Sequence, residues 1–310
     1  MDKTSIKTTI YQHPEFTAFI NGMNAHFGAW RNQAAKTLKA LKPGIHPKEV
    51  IATLSEDLLA HYTNKPLIDP YDVYQHLMDY WAETMQDDCY LIAVDGWKAT
   101  TYRVKKNKEG KITKEVDKGW ACDLIPKSLI VARYYAKEQK ALDQLAAELE
   151  SISAKLAELE EEHSGEDGAF SELDKVNKAN VAARLKEIRN DKETKDEAAV
   201  LNDWLRLNTD ESDLKKRLKD AETDLDAKTC GHYPKLTESE IKSLVVDDKW
   251  LVALERDIHG EMDSINQALT QRVKELAERY ETPLPRMVSR VAELEAKVNR
   301  HLEKMGFSWK

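Results

Sequence analysis

The sequence predicts a mostly α protein, an elongated helical bundle with a long antiparallel, coiled-coil-like helical hairpin and a small β-hairpin element. Three observations carry that expectation. Leu142, Leu145, Leu149, Ile152, Leu156 and Leu159 recur at alternating steps of three and four, an a/d seam. Only 11 glycines and 9 prolines punctuate 310 residues, of which 33% are charged, a composition that suits long helices. Strand-like patterning is confined to one short region, residues 89–125.

From the N-terminus, His13-Pro14 opens an amphipathic helix with Phe16, Phe19, Ile20, Met23, Phe27 and Trp30 on one face. Lys42-Pro43-Gly44 breaks the chain, and a second helix follows His46-Pro47 through Val50, Ile51, Leu54, Leu58 and Leu59. A third starts at Asp69-Pro70, with Asp at the cap and Pro at the first helical position. Asp87-Asp88 is expected to stop it. Residues 89–94 then read as a strand, with Asp95-Gly96 as a turn signal. Residues 100–104 and 112–116, separated by a Lys/Asn/Gly-rich turn, read as a hairpin, and residues 119–125 as a further strand.

No Gly or Pro occurs between 127 and 163, so one helix of about 37 residues, about 55 Å long, is expected. Its six seam residues alone cannot offset the backbone entropy of ordering it, so the arm needs a partner along its length. Residues 164–168 are a polar, glycine-punctuated turn, and a second seam, Val200, Trp204, Leu207, Leu214, Leu218, Ala221 and Leu225, returns along the first. From Asp143 to Asp174 there are eleven acidic residues against one basic, Lys155, a solvated face that repels DNA. Residues 229–237 read as a loop. In the final third, Leu251, Met262 and Val273 lie eleven apart, as do Leu254, Ile265 and Leu276, and Ile258, Leu269 and Tyr280. That period keeps a nearly straight apolar stripe. Pro283-Leu284-Pro285 ends this helix, and a last one follows through Val288, Val291, Leu294, Val298 and Leu302. Three consecutive segments result: a helical body with the β-hairpin (1–126), the hairpin arm (127–228), and a long helix with a terminal helix (229–310).

The net charge of −8 argues against a chain that coats nucleic acid by itself. Cys89, Cys122 and Cys230 are an odd number without C-x-x-C spacing, as in a reduced, cytoplasmic protein. No apolar run approaches the length of a membrane span. A glycine-rich cofactor turn, a phosphate-binding loop and a nucleophile elbow are all missing from the sequence, and the nine histidines lack metal-ligand spacing. Cys230 and His232 could form half of a zinc site but have no second pair in sequence, so a helix-ending turn is the simpler reading. Asp69-Pro70-Tyr71-Asp72 invites comparison with the loop that amino-group DNA methyltransferases close over a flipped base. One proline is missing there, and a helix cap explains every residue. No catalytic, cofactor-binding or metal-binding residue is expected. The candidate partner surface is Leu294, Val298, Leu302, Phe307 and Trp309, provided that these five do not pack onto the chain's own 251–280 helix.

Residues 65–99, KPLIDPYDVYQHLMDYWAETMQDDCYLIAVDGWKA, closely resemble the C-terminal region of the modification (M) subunit of type I restriction-modification systems. The likeness continues in KGWACDLIPKSLIVAR at 118–133, FSELDKVNKAN at 170–180, YETPLP at 280–285 and HLEKMGF at 301–307, so that nearly the whole chain is covered. The resemblance implies an adenine-N6 DNA methyltransferase that uses S-adenosylmethionine and assembles with a specificity (S) subunit, which reads the DNA target, and a restriction (R) subunit. The family's cofactor motif and its Asn-Pro-Pro-Phe-type motif would lie upstream of the matching region. The expectation is therefore a C-terminal, non-catalytic region, inactive alone, with no cofactor of its own. It would position the methyltransferase core on DNA in the assembled complex and bind the S subunit. The alternative is a self-contained coiled-coil scaffold unrelated to methylation.

Overall fold

A computed structural model describes residues 6–107, 115–165, 168–190, 194–280 and 284–307. The chain is mostly α, with one small antiparallel β-hairpin among the described residues. Its contacts divide it into two compact units, Met1–Gly96 with Val246–Lys310, and Trp97–Val245. The expected turns at 105–111 and 164–168 lie partly outside the described residues.

In the first unit, α1 (Ile6–Gln12) precedes α2 (Pro14–Lys39) and α3 (Pro47–Tyr62), the latter two each with proline in the first turn. Proline fixes φ and lacks the N–H that a first turn cannot use, so His13-Pro14 and His46-Pro47 start helices locally. Phe16, Met23, Phe27 and Trp30 of α2 are buried as the spacing predicts, and the face continues to Ala34 and Leu38. On α3 the buried line is Leu54, Leu58 and Tyr62.

α4 (Pro70–Tyr80) begins as expected, with Asp69 Oδ1 accepting the Tyr71 N–H at 2.9 Å. It does not stop at Asp87-Asp88, and residues 89–94 are not a strand. A π-helical turn, Trp81–Met85, leads directly into α5 (Gln86–Asp95). The wider turn shifts the phase of the buried face, so that Trp81, Met85, Asp88, Cys89 and Ile92 all lie inside. Asp95-Gly96 is the helix end rather than a hairpin turn: Gly96 takes φ +74°, and its N–H returns to the Ile92 carbonyl at 2.9 Å.

A second π-helical stretch, Ser243–Leu251, leads into α11 (Val252–Arg279). The straight eleven-residue stripe holds only for its first half. Leu251, Leu254, Ile258 and Met262 are buried, after which the buried line steps by four onto Asn266 and Thr270. Each step of four overshoots a 3.6-residue turn by about 40°, so Leu269, Leu276 and Tyr280 are carried out to solvent. α1 and α4 pack on α11.

In the second unit, β1 (Tyr102–Asn107) pairs with β2 (Glu115–Ala121), and residues 119–125 supply the end of β2 rather than a further strand. The register slips between Arg103 and Lys105, a bulge at which Gly119 adopts φ +94°. The single helix expected over 127–163 is two, α6 (Lys127–Tyr134) and α7 (Ala136–Glu162). Tyr135 breaks the run at φ −126°, ψ 26°, with its hydroxyl 3.3 Å from the Lys228 carbonyl and 3.1 Å from His232 Nδ1. α8 (Lys178–Glu187) follows, capped by the Asn177 side chain. α9 (Lys195–His232) carries the second seam and absorbs Cys230 and His232 into its last turn, where a loop was expected. A 3-10 turn, Tyr233–Lys235, then leads to α10 (Glu238–Lys242), which starts in a Thr237/Glu240 capping box.

α7 and α9 form the expected antiparallel hairpin. Their side-chain ties pair Glu138 with Lys228, Ser153 with Glu211, and Glu160 with Trp204, so one helix descends as the other rises. Near the tip, Leu156, Phe170, Val181, Leu201 and Trp204 build a small core into which α8 also packs.

Candidate partner surface on the terminal helix

α12 (Leu284–Lys304) forms because its apolar and charged residues alternate with the helical period and no proline follows its first turn. It ends in a complete glycine cap. Gly306 takes φ +82° and donates to the Glu303 carbonyl at 3.0 Å, while the Phe307 N–H donates to the Leu302 carbonyl at 2.9 Å. This pair of bonds folds Phe307 back towards the helix.

At 100° per residue, Met287, Val288, Val291, Leu294, Val298 and Leu302 fall within a third of the helix circumference. No residue of α12 is buried among those described. Leu294 is 51% exposed, Val298 55% and Phe307 61%, and Leu302 is half-buried behind the cap. Packing onto the 251–280 helix therefore does not account for these residues in the described structure. Trp309 lies outside the described residues. Met287, Val288 and Val291 share the exposed face and belong to the surface as much as the five residues singled out by sequence. Their spacing was the signal. Arg290 and Lys297 flank the stripe on one side, and Glu295 interrupts its other edge between Leu302 and Val288. Chemically the face offers exposed apolar area with charged residues at its borders.

Two buried polar networks elsewhere in the units are well partnered. In the first unit, Asp88, 3% exposed, accepts from Lys249 Nζ and Trp250 Nε1. Burial raises its pKa, and the lysine and indole donors offset this only in part. Tyr80, whose hydroxyl donates to the Lys249 carbonyl at 3.1 Å, is also pushed up by burial, with the Asp88 charge adding to the shift. In the second unit, Trp120 Nε1 and Lys127 Nζ donate to Asp226 at 2.8 and 2.6 Å, and the ammonium sits 4.0 Å from the Trp120 ring centre. Burial opposes ionisation of Asp226, but the two donors outweigh it and hold the carboxyl below its usual range. These networks tie secondary-structure elements together. Asp69 acts as a helix cap, and Cys230 and His232 lie on one helical turn. Among the described residues, no group of three or more His, Cys, Asp or Glu side chains is placed to hold a metal ion, and no helix is long and apolar enough to cross a membrane.

Compared with protein-family models, curated proteins and solved structures, the chain matches none.

Proposed function

We propose that this chain is the C-terminal, non-catalytic region of the modification subunit of a type I restriction-modification system, and that it binds the S subunit through helices. One observation carries the assembly role: α12 holds an apolar stripe in solvent from Met287 to Val298. Monomeric proteins rarely leave such a contiguous stripe uncovered, because burying each aliphatic side chain contributes about 1.5–3 kcal/mol. The resemblance carried by residues 65–99, 118–133, 170–180, 280–285 and 301–307 supplies the partner. In this reading the chain holds an adenine-N6 methyltransferase core, which uses S-adenosylmethionine, against the DNA that the S subunit selects. The R subunit joins for cleavage.

A scaffold unrelated to methylation is favoured by the α7/α9 hairpin, whose seams bury each other and need no methyltransferase. Coexpression separates the two readings. The chain should co-purify with the S subunit encoded in the same system and not with an unrelated coiled-coil protein, and Leu294→Asp with Val298→Asp should abolish the capture. Equal capture of both proteins, or of neither, favours the scaffold.

A further inference from the structure

The geometry points to a second copy of this chain as an occupant of the α12 stripe, joined to the first as a parallel two-stranded coiled coil. The inference goes beyond the S-subunit reading and does not rest on it. Both occupants would use one stripe, so they compete.

The core composition selects the strand number. Val291 and Val298 are seven apart and fall on one core position, while Met287 and Leu294 fall on the other. β-branched residues at a with leucine at d favour two parallel strands over higher assemblies. At the next d position stands His301. This polar core layer costs some stability.

The charges select the orientation. Arg290 and Lys297 occupy successive g positions, and Glu295 the e position between them. In a parallel pair, g of one helix faces the following e of its partner, so Arg290 meets Glu295 twice across the two-fold axis. Lys297 meets Leu302, over which its aliphatic stem can lie with the ammonium in water. In an antiparallel pair, g faces g, and Arg290 would meet Lys297, a like-charge contact repeated by symmetry. Leu284, Met287, Val291, Leu294, Val298 and Met305 are all exposed, which leaves the seam open over about 30 Å.

The test uses the full chain in a Cys230→Ser background. Sedimentation across a concentration series should give a dimer, and Leu294→Asp a monomer with unchanged helical circular dichroism. Glu295→Arg should weaken the dimer at least tenfold, and adding Arg290→Glu should restore it. Leu294→Cys should form an intermolecular disulfide under a mild oxidant, because parallel strands bring identical core layers together. A mixture of the separate Met287→Cys and Val298→Cys variants should not cross-link, since those positions face each other only in the antiparallel pair. A monomer at every concentration, a dimer that survives Leu294→Asp, or cross-linking of the mixed pair overturns the proposal.

Discussion

Lys249 Nζ donates to both carboxylate oxygens of Asp88, at 2.9 and 2.7 Å, across 161 residues of sequence. With Trp250 Nε1 at 2.7 Å from the same carboxylate, the contact binds α5 to the π-helical stretch before α11. Removing one partner strands the other charge in a buried setting. Asp88→Ala should cost about 3–5 kcal/mol in urea denaturation, whereas Asp88→Leu with Lys249→Met should recover most of that loss. A double variant no better than the single one would show that Trp250, rather than the ion pair, depends on the carboxylate.

The same carboxylate carries a pH dependence. Burial raises its folded pKa above the unfolded value of about 3.9, so between the two the native state holds a proton that the unfolded chain has lost. Its stabilising contribution is complete below about pH 4 and declines as pH rises through the raised pKa. The stability advantage of the native protein over Asp88→Asn should therefore shrink with rising pH across that window. An advantage that grows would mean that the Lys249 and Trp250 donors outweigh burial and lower the pKa.

Thiol reactivity should follow burial. Cys89 is pushed up to about 12 by its buried site, Cys122 is buried, and Cys230 is half-buried on α9. At pH 8 a thiol reagent should label Cys230 in the native chain and all three cysteines after unfolding, counted by mass spectrometry. Native labelling of Cys89 at a comparable rate would contradict the buried α4–α5 turn.

The hairpin tip has its own core, so its loss should be local. Trp204 is 2% exposed and donates to Glu160 at 2.8 Å. Trp204→Ala should cost about 3–5 kcal/mol in the tip, read as lost hydrogen-exchange protection in α8 and the facing turns of α7 and α9. Uniform loss over the whole chain would make it one cooperative unit.

The features that could be read from sequence are the locally determined ones. His13-Pro14, His46-Pro47 and Asp69-Pro70 each start a helix because proline acts within one turn, joined at Asp69 by a side-chain cap. The two seams could be paired because their periods match. Asp87-Asp88 misled because a buried carboxylate in mid-helix needs Lys249, and nothing near it in sequence announces that partner. The π-helical turn at Trp81–Met85 hid the helical phase of Cys89 and Ile92 in the same way. Tyr135 ends a helix through contacts with Lys228 and His232. α12 was visible as an amphipathic helix, but its exposure depends on what the rest of the chain leaves uncovered. Patterning carries no information on that.

The central claim is assembly with an S subunit through the α12 stripe, and a calorimetric titration of this chain with that subunit tests it most directly. Saturable binding is expected, weakened at least a hundredfold, about 2.7 kcal/mol, by Leu294→Asp, and weakened at least tenfold by truncation after Lys304, which removes Phe307 and Trp309. Unchanged affinity in Leu294→Asp, or no binding by the native chain, would contradict it.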